Sequence, residues 1–262
     1  MRHLGSTEIA AVAALYLPQL EAELPKSKTA GDVWLRLTHG LEVPRNNRMQ
    51  RGLDMEQWAF DYYAEHVGPW WRPQPVGEFW TVAHPERPDF TASPDAYDAP
   101  DGRLVVEIKT QSEWARKQWG TPGTNEMANR YLYQTAWLLA CCDKEEAHVL
   151  CVFGNDVPVE GELATTEFIV TEPAIYPVER DPDVERLLLD LGERFLEEFV
   201  RTGIPPPVKP AHNRTEAKRL VNEKHGEGAA VEWYARCDER SRQLADAAAA
   251  GDDAEAAGDE VG

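Results

Sequence analysis

The stretch best equipped for chemistry is Ser93-Pro94-Asp95 followed, twelve residues on, by Glu107-Ile108-Lys109. Side chains along a strand alternate between its faces. A strand over Arg103–Thr110 would point Leu104, Val106 and Ile108 into the core and set Val105, Glu107 and Lys109 on the opposite face, at a wet edge. Asp98-Ala99-Pro100-Asp101-Gly102 carries strong turn chemistry, so a hairpin would bring Asp95 back beside Glu107. Two carboxylates converging on one point repel unless a cation lies between them. An all-oxygen set suits magnesium, or manganese in its place, with the Ile108 carbonyl as a further ligand. Lys109 cannot ligate metal, but it can orient or deprotonate a water, or stabilise the charge on a pentacovalent phosphate. Together these groups describe hydrolysis of a phosphodiester.

Each piece alone has an ordinary reading. Glu-x-Lys on an amphipathic strand is usually a solvated face. Pro-Asp also recurs at Pro88-Asp89 and at Pro100-Asp101, the latter a turn. The weight lies in the combination of a Pro-Asp one hairpin upstream of a Glu-x-Lys with apolar alternates. Two more groups add to it. Glu56 sits mid-helix among residues that look buried, and an inward carboxylate there needs a metal or a cation. Gln134 shares a helix face with Tyr131 and Leu138. Taken singly, both are ordinary surface positions.

The elements that must position these groups follow from periodicity. Helices are expected over Ser6–Tyr16, with Ser6 or Thr7 as N-cap, from Ala30 with Val33, Trp34 and Leu37 inward, and over Asn46–His66. The last would bury Met49, Leu53, Trp58, Phe60 and Tyr63. Strands are expected at Glu78–Ala83, Asp89–Ala92 and Arg103–Thr110, with helices at Glu113–Trp119 and Asn125–Cys141. Further strands fall at His148–Phe153 and Glu167–Val170, and an amphipathic helix at Asp183–Arg201. The order argues for an α/β or α+β core, a central mixed sheet flanked by helices. Residues 1–204 would form this domain. Residues 205–242 would be a proline linker and a helical extension, with helices at Thr215–Glu223 and Ala229–Ala249. Residues 243–262 would be an acidic, disordered tail.

The chain has 262 residues and a net charge of −19. The segment 238–262 contributes −6, leaving −13 on the rest, which argues against broad polyanion binding. A nucleic-acid surface would therefore be a local basic groove or a metal-bearing channel, drawing on Arg45, Arg48, Arg51, Arg116, Lys117 and Arg130. Four cysteines without a C-x-x-C build no disulfide framework or zinc site and fit a reducing compartment. No apolar run suggests a signal peptide or a membrane span, so a soluble cytoplasmic protein is expected.

The ordered set Arg51-Gly52-x-x-x-Glu56, Ser93-Pro94-Asp95, Glu107-Ile108-Lys109 and Tyr131-x-x-Gln134 resembles the lambda exonuclease/YqaJ-type viral recombinases of the PD-(D/E)XK nuclease superfamily. The opening Gly5-Ser6-Thr7-Glu8-Ile9-Ala10 is similar to that family's N-terminal segment, and the likeness runs from about Arg2 to Gly203. It implies an alkaline-type exonuclease degrading one strand of duplex DNA 5′→3′ and passing the freed 3′ strand to a single-strand annealing protein. It also implies that Asp95, Glu107 and the Ile108 carbonyl ligate magnesium and that Glu56 serves a second metal. Lys109 would be the catalytic lysine, and Gln134 would position it or the water. Thr7, Arg2, Arg51 and Tyr131 would contact the 5′-phosphate or DNA. Some members close into trimeric rings, which would reconcile an acidic exterior with a basic channel.

Rival readings stay open. A restriction- or repair-type endonuclease would share the core and metals. A noncatalytic DNA-end-binding module would keep the scaffold. A zinc- or nucleophile-dependent hydrolase finds no H-x-H, H-E-x-x-H or G-x-S-x-G motif.

Overall fold

A computed structural model describes residues 2–21, 28–158 and 166–259. They divide into two compact units. The first comprises the chain up to Ala10 and Pro44–Gly192; the second comprises Ala11–Val43 and Glu193 onward. The boundary expected near residue 204 is therefore replaced by an interleaved division. Residues 11–43, expected to belong to the nuclease core, group with the C-terminal helices instead.

The first unit is a mixed α/β core. Two small strands, β1 (Leu4–Gly5) and β2 (Val82–Ala83), flank β3 (Phe90–Ala92), parallel and antiparallel to it respectively. A larger sheet has the order β4 (Ala96–Tyr97), β5 (Leu104–Ser112), β6 (Glu146–Pro158), β7 (Thr166–Glu179). Neighbouring strands there pair antiparallel, parallel and antiparallel in turn. The hairpin closed by Asp98–Gly102 thus joins β5 to β4, not to the 89–92 strand, which pairs in the other sheet. Asp98 drives the turn, its Oδ1 accepting the Leu104 N–H at 3.2 Å. β6 and β7 run well beyond their expected ends. Where they cross, Gly154 lies at a register shift. A Cβ there would meet the Ile169 carbonyl at 2.3 Å, so only glycine fits.

The main sheet packs on α4 (Asn47–His66), capped by Asn46 Oδ1, which accepts the Arg48 and Met49 N–H groups. Its buried stripe is Glu56, Ala59, Phe60 and Tyr63, meeting Val106, Leu150 and Val152. Of the apolar residues expected inward, Met49 and Trp58 are exposed. Trp58 lies off the helical stripe and stacks on Tyr62, and Met49 belongs to the first turn. α5 (Asn129–Cys142) starts four residues later than expected, after a 3-10 helix over Glu113–Gln118 and an extended stretch. Trp137 of α5 packs on Phe90 at 4.8 Å and donates to the Thr91 carbonyl at 2.9 Å, tying α5 to the small sheet. α1 (Ser6–Tyr16) begins at Ser6 itself, so its cap falls on Gly5, whose N–H donates to Glu8 Oε2 at 3.0 Å.

In the second unit α2 (Pro18–Glu21) is a single turn, and α3 (Ala30–His39) opens with a Thr29–Asp32 capping box and buries Val33, Trp34 and Leu37 as expected. α6 (Pro182–Phe195) ends in a π turn over Leu196–Arg201 that belongs to this unit. α7 (Arg214–His225) and α8 (Ala229–Asp259) form the expected pair. The proline run is not a free linker: Pro205 and Pro206 are buried, and Trp233 donates to the Pro206 carbonyl at 2.6 Å. Nor does helix end at residue 249; α8 continues to Asp259, in a stretch rich in alanine, the strongest helix former. The last three residues of the expected tail lie outside the described residues.

Candidate active site

The site belongs to the first unit, in a cleft of about 630 Å³. β5 supplies its centre. The register Ala96↔Val106 places Asp95 opposite Glu107. Asp95 Oδ2 accepts the Ile108 N–H at 2.6 Å. A residue bonded across an antiparallel ladder sends its N–H and C=O to the same side, so the Ile108 carbonyl leaves β5 on the Asp95 side. Glu107 Oε1 accepts from both Lys109 Nζ and Gln134 Nε2, the latter at 2.8 Å. Asp95, Glu107, Lys109 and Gln134, predicted from three separate sequence segments, are thus brought together.

Glu107 does not stand at a wet edge as expected. β5 lies between β4 and β6, and both of its faces are covered: one by the α4 core, the other, carrying Val105 and Glu107, toward α5. Val105 and Val106 are fully buried and Glu107 is 4% exposed. A buried charged oxygen without a partner is costly, and Glu107 Oε2 is one. Burial and the facing Glu107 charge together push the Asp95 carboxyl well above its ordinary range, against the opposing pull of Lys109 and the Ile108 N–H. Burial alone would lower the Lys109 ammonium, but the charges of Glu107 and Asp95 and the hydrogen bond to Glu107 outweigh it and hold it up.

These features fit a hard divalent cation. Glu107 Oε2, the Asp95 carboxylate and the Ile108 carbonyl form an all-oxygen set with one buried oxygen left over, and the mutual repulsion of the carboxylates is what a cation would relieve. Among the described residues no three His, Cys, Asp or Glu side chains form a group that could hold a metal ion. Glu56 lines the same cleft, but its Oε1 accepts from Arg72 Nη1 at 2.9 Å and its Oε2 from the Gly77 N–H at 3.2 Å. Gly77 presents that N–H from a left-handed turn, φ 86°. The cation Glu56 required is a buried arginine from the Trp- and Pro-rich segment, which carried no periodicity to signal it.

Thr7 lines the cleft with Gly5 and Ser6, and Arg45 and Arg48 line it as exposed cations. Arg2 is exposed and does not line it. Arg51 points away from it: it packs over the Phe168 ring at 4.7 Å and pairs with Asp156 at 2.7 Å, because its turn of α4 faces the β6–β7 ribbon. Tyr131 stacks on Trp119 at 4.7 Å beneath the Arg130 guanidinium, near enough for its hydroxyl to bear on Lys109, yet outside the lining. Arg116 is taken up by Glu113 and Glu172 and Arg130 by Gln118, and Lys117 lies outside the lining, so apart from Arg72, paired with Glu56, the cations of the cleft are Arg45, Arg48 and Lys109. Among the described residues no helix is long and apolar enough to cross a membrane.

No curated protein matches this sequence. Among solved structures the chain is similar to LHK-Exo in complex with dAMP, at a TM-score of 0.53 and 18% identity over 83% of this chain and 94% of that one. It is likewise similar to the alkaline exonuclease LHK-Exo from Laribacter hongkongensis, at 0.50 and 19% over the same shares. The likeness is one of fold. The family model for the YqaJ-like viral recombinase domain matches residues 2–145, more than half of the chain and every residue around Glu107 described above. The chain belongs to the YqaJ-like viral recombinase domain family.

Proposed function

We propose that the cleft hydrolyses DNA phosphodiester bonds with a bound divalent cation, magnesium or manganese in its place, and that the protein is a 5′→3′ exonuclease acting on duplex ends. The observation that carries this reading is Glu107 Oε2, a buried carboxylate oxygen with no partner, set opposite Asp95 at the floor of a cleft. Asp95, Glu107 and the Ile108 carbonyl would hold the cation. When bound, it supplies a charge for the phosphate oxygens and an acidified water. Gln134 holds the Glu107 carboxylate in place through Oε1, leaving Oε2 to face the cation. Lys109, kept as an ammonium by the two carboxylates, stabilises negative charge on the reacting phosphate and holds a proton at Nζ for the leaving oxygen. Thr7, Arg45 and Arg48, along the cleft wall, take backbone phosphates of the incoming end. Arg51 and Tyr131 support the wall, and Glu56, with both oxygens engaged, braces α4 against Arg72.

The product would be a 3′ single strand, handed to an annealing protein in recombination. Assembly as a ring of three copies would let an acidic chain surround DNA on a basic inner surface.

The test uses linear duplex DNA labelled at one 3′ end, with magnesium and with EDTA, beside a duplex whose 5′ ends carry bulky adducts. Magnesium-dependent shortening of the labelled strand with its 3′ label retained, abolished by the 5′ block, is expected. Internal cutting of both duplexes would overturn the exonuclease reading and leave an endonuclease. No cutting with any divalent metal would leave a binding module.

A further inference from the structure

The strand that carries Glu107 and Lys109 continues past the cleft into an exposed aromatic. Trp114, 71% exposed, stands in the 3-10 helix Glu113–Gln118 that follows β5 directly. A singly exposed aromatic is ordinary, and Phe79 and Val231 are as open; what distinguishes Trp114 is the cation set against its ring. Lys117 Nζ lies 3.9 Å from the centre of its ring and, among the described residues, makes no ion pair. The turn that presents them is firmly held. Arg116 is bonded to Glu113, reaches Glu172 at 3.0 Å and covers the Phe153 ring at 4.2 Å. Thr171 Oγ1 donates to Glu113 Oε2 at 2.5 Å, and Trp119 at the turn's end is buried against Tyr131 and Tyr176. Lys117 covers one face of the ring, and with most of the indole exposed the rest is left open to an unpaired nucleobase, the ammonium serving as counter-charge for its phosphate.

The position suits a strand engaged at the cleft. Thr110 and Gln111 line the cleft, and Trp114 is three residues beyond. At about 3.3 Å per strand residue, Lys109 and Trp114 are at most about 17 Å apart. That is roughly five steps of a nucleic-acid strand at about 3.4 Å each.

We propose that Trp114 and Lys117 form a stacking platform for an unpaired nucleobase, receiving single-stranded DNA beside the cleft. This rests on the reading of the cleft as a DNA nuclease. An isolated surface cluster of like charge would bind phosphate without preferring unpaired bases; a fixed indole prefers them.

The test is fluorescence anisotropy of the full-length protein in EDTA, where cleavage is suppressed, with a blunt duplex and with the same duplex bearing a 3′ single-stranded tail. Trp114→Ala is expected to weaken binding of the tailed duplex by roughly tenfold or more while changing the blunt duplex less than twofold. Trp114→Phe should recover most of the loss, since a phenyl ring still stacks. Lys117→Ala should cost a few-fold and flatten the dependence of affinity on salt. Tailed-duplex binding by Trp114→Ala equal to wild type would overturn the platform while leaving the nuclease reading intact. Equal losses on both duplexes by Trp114→Ala and Trp114→Phe would overturn it as well, as would a change in sedimentation showing that a second copy covers the ring. If the wild type binds neither duplex and cuts neither with magnesium, the nuclease reading itself fails.

Discussion

Glu56 and Glu107 are both glutamates drawn inside the first unit, lining one cleft, and their surroundings differ in one respect. Each oxygen of Glu56 has a donor: Arg72 for one, the Gly77 N–H for the other. Glu107 has two donors crowded on Oε1 and none on Oε2. A buried carboxylate that is fully bonded is a structural brace, whose removal strands its partner. One with an oxygen held open is a poor brace and a good ligand. On sequence alone Glu107 reads as a metal ligand and Glu56 as needing a metal or a cation, the resemblance implying a second metal; the bonding pattern separates them into one carboxylate with both oxygens engaged and one with an oxygen left open.

The largest effect expected is at the reacting member. Glu107→Gln keeps the shape and the Gln134 contact but removes the charge that faces the cation, so turnover should fall about a thousandfold or more in a magnesium-dependent duplex-degradation assay. Its fold should be retained, because the Gln134 contact survives and the Asp95 charge still offsets that of Lys109. Turnover within tenfold of wild type would remove the division drawn above.

The brace should behave in the opposite way. Glu56→Gln leaves the Arg72 guanidinium buried without its charge partner, a loss of about 3–5 kcal/mol by urea unfolding. The folded fraction should still turn over within tenfold of wild type. A variant as stable as wild type but inactive would make Glu56 a metal ligand after all. Magnesium sharpens the contrast further. A cation bound only to the folded state at a hundred times its dissociation constant stabilises by about 2.7 kcal/mol. The unfolding midpoint of wild type and of Glu56→Gln should rise with magnesium, and that of Glu107→Gln should not.

The parts of this arrangement legible beforehand were those written in short-range patterns. Alternation marked Val106 and Glu107 as facing opposite ways, and the Asp98–Gly102 turn brought Asp95 to its register partner. What alternation could not show is that β5 is an interior strand, since burial on the second face depends on α5 arriving from 27 residues away at Gln134. Arg72 was invisible for the same kind of reason: it lies in an irregular segment, and its pairing with Glu56 is set by how that segment folds over α4. The two-unit division was also hidden, because residues 11–43 and those beyond Glu193 are joined only by tertiary packing such as Trp34 Nε1 donating to the Phe199 carbonyl.

Arg51 carries the smallest effect and the most direct test of how far motif resemblance reaches. It stands in the Arg51-Gly52-x-x-x-Glu56 pattern, and a DNA contact was expected of it; in the fold it is an element of packing, laid over Phe168 and paired with the half-exposed Asp156. Exposed ion pairs and cation–π contacts are each worth about 1 kcal/mol or less. Arg51→Met, which keeps much of the stem's contact with Phe168, should therefore cost about 1 kcal/mol by urea unfolding and alter duplex affinity less than twofold. Arg48→Met, removing an exposed cation of the cleft wall, should do the reverse: weaken duplex binding several-fold at low salt and leave stability unchanged. If the two variants exchange these behaviours, α4 presents its Arg51 face to DNA, and the groove must be redrawn around the β6–β7 ribbon.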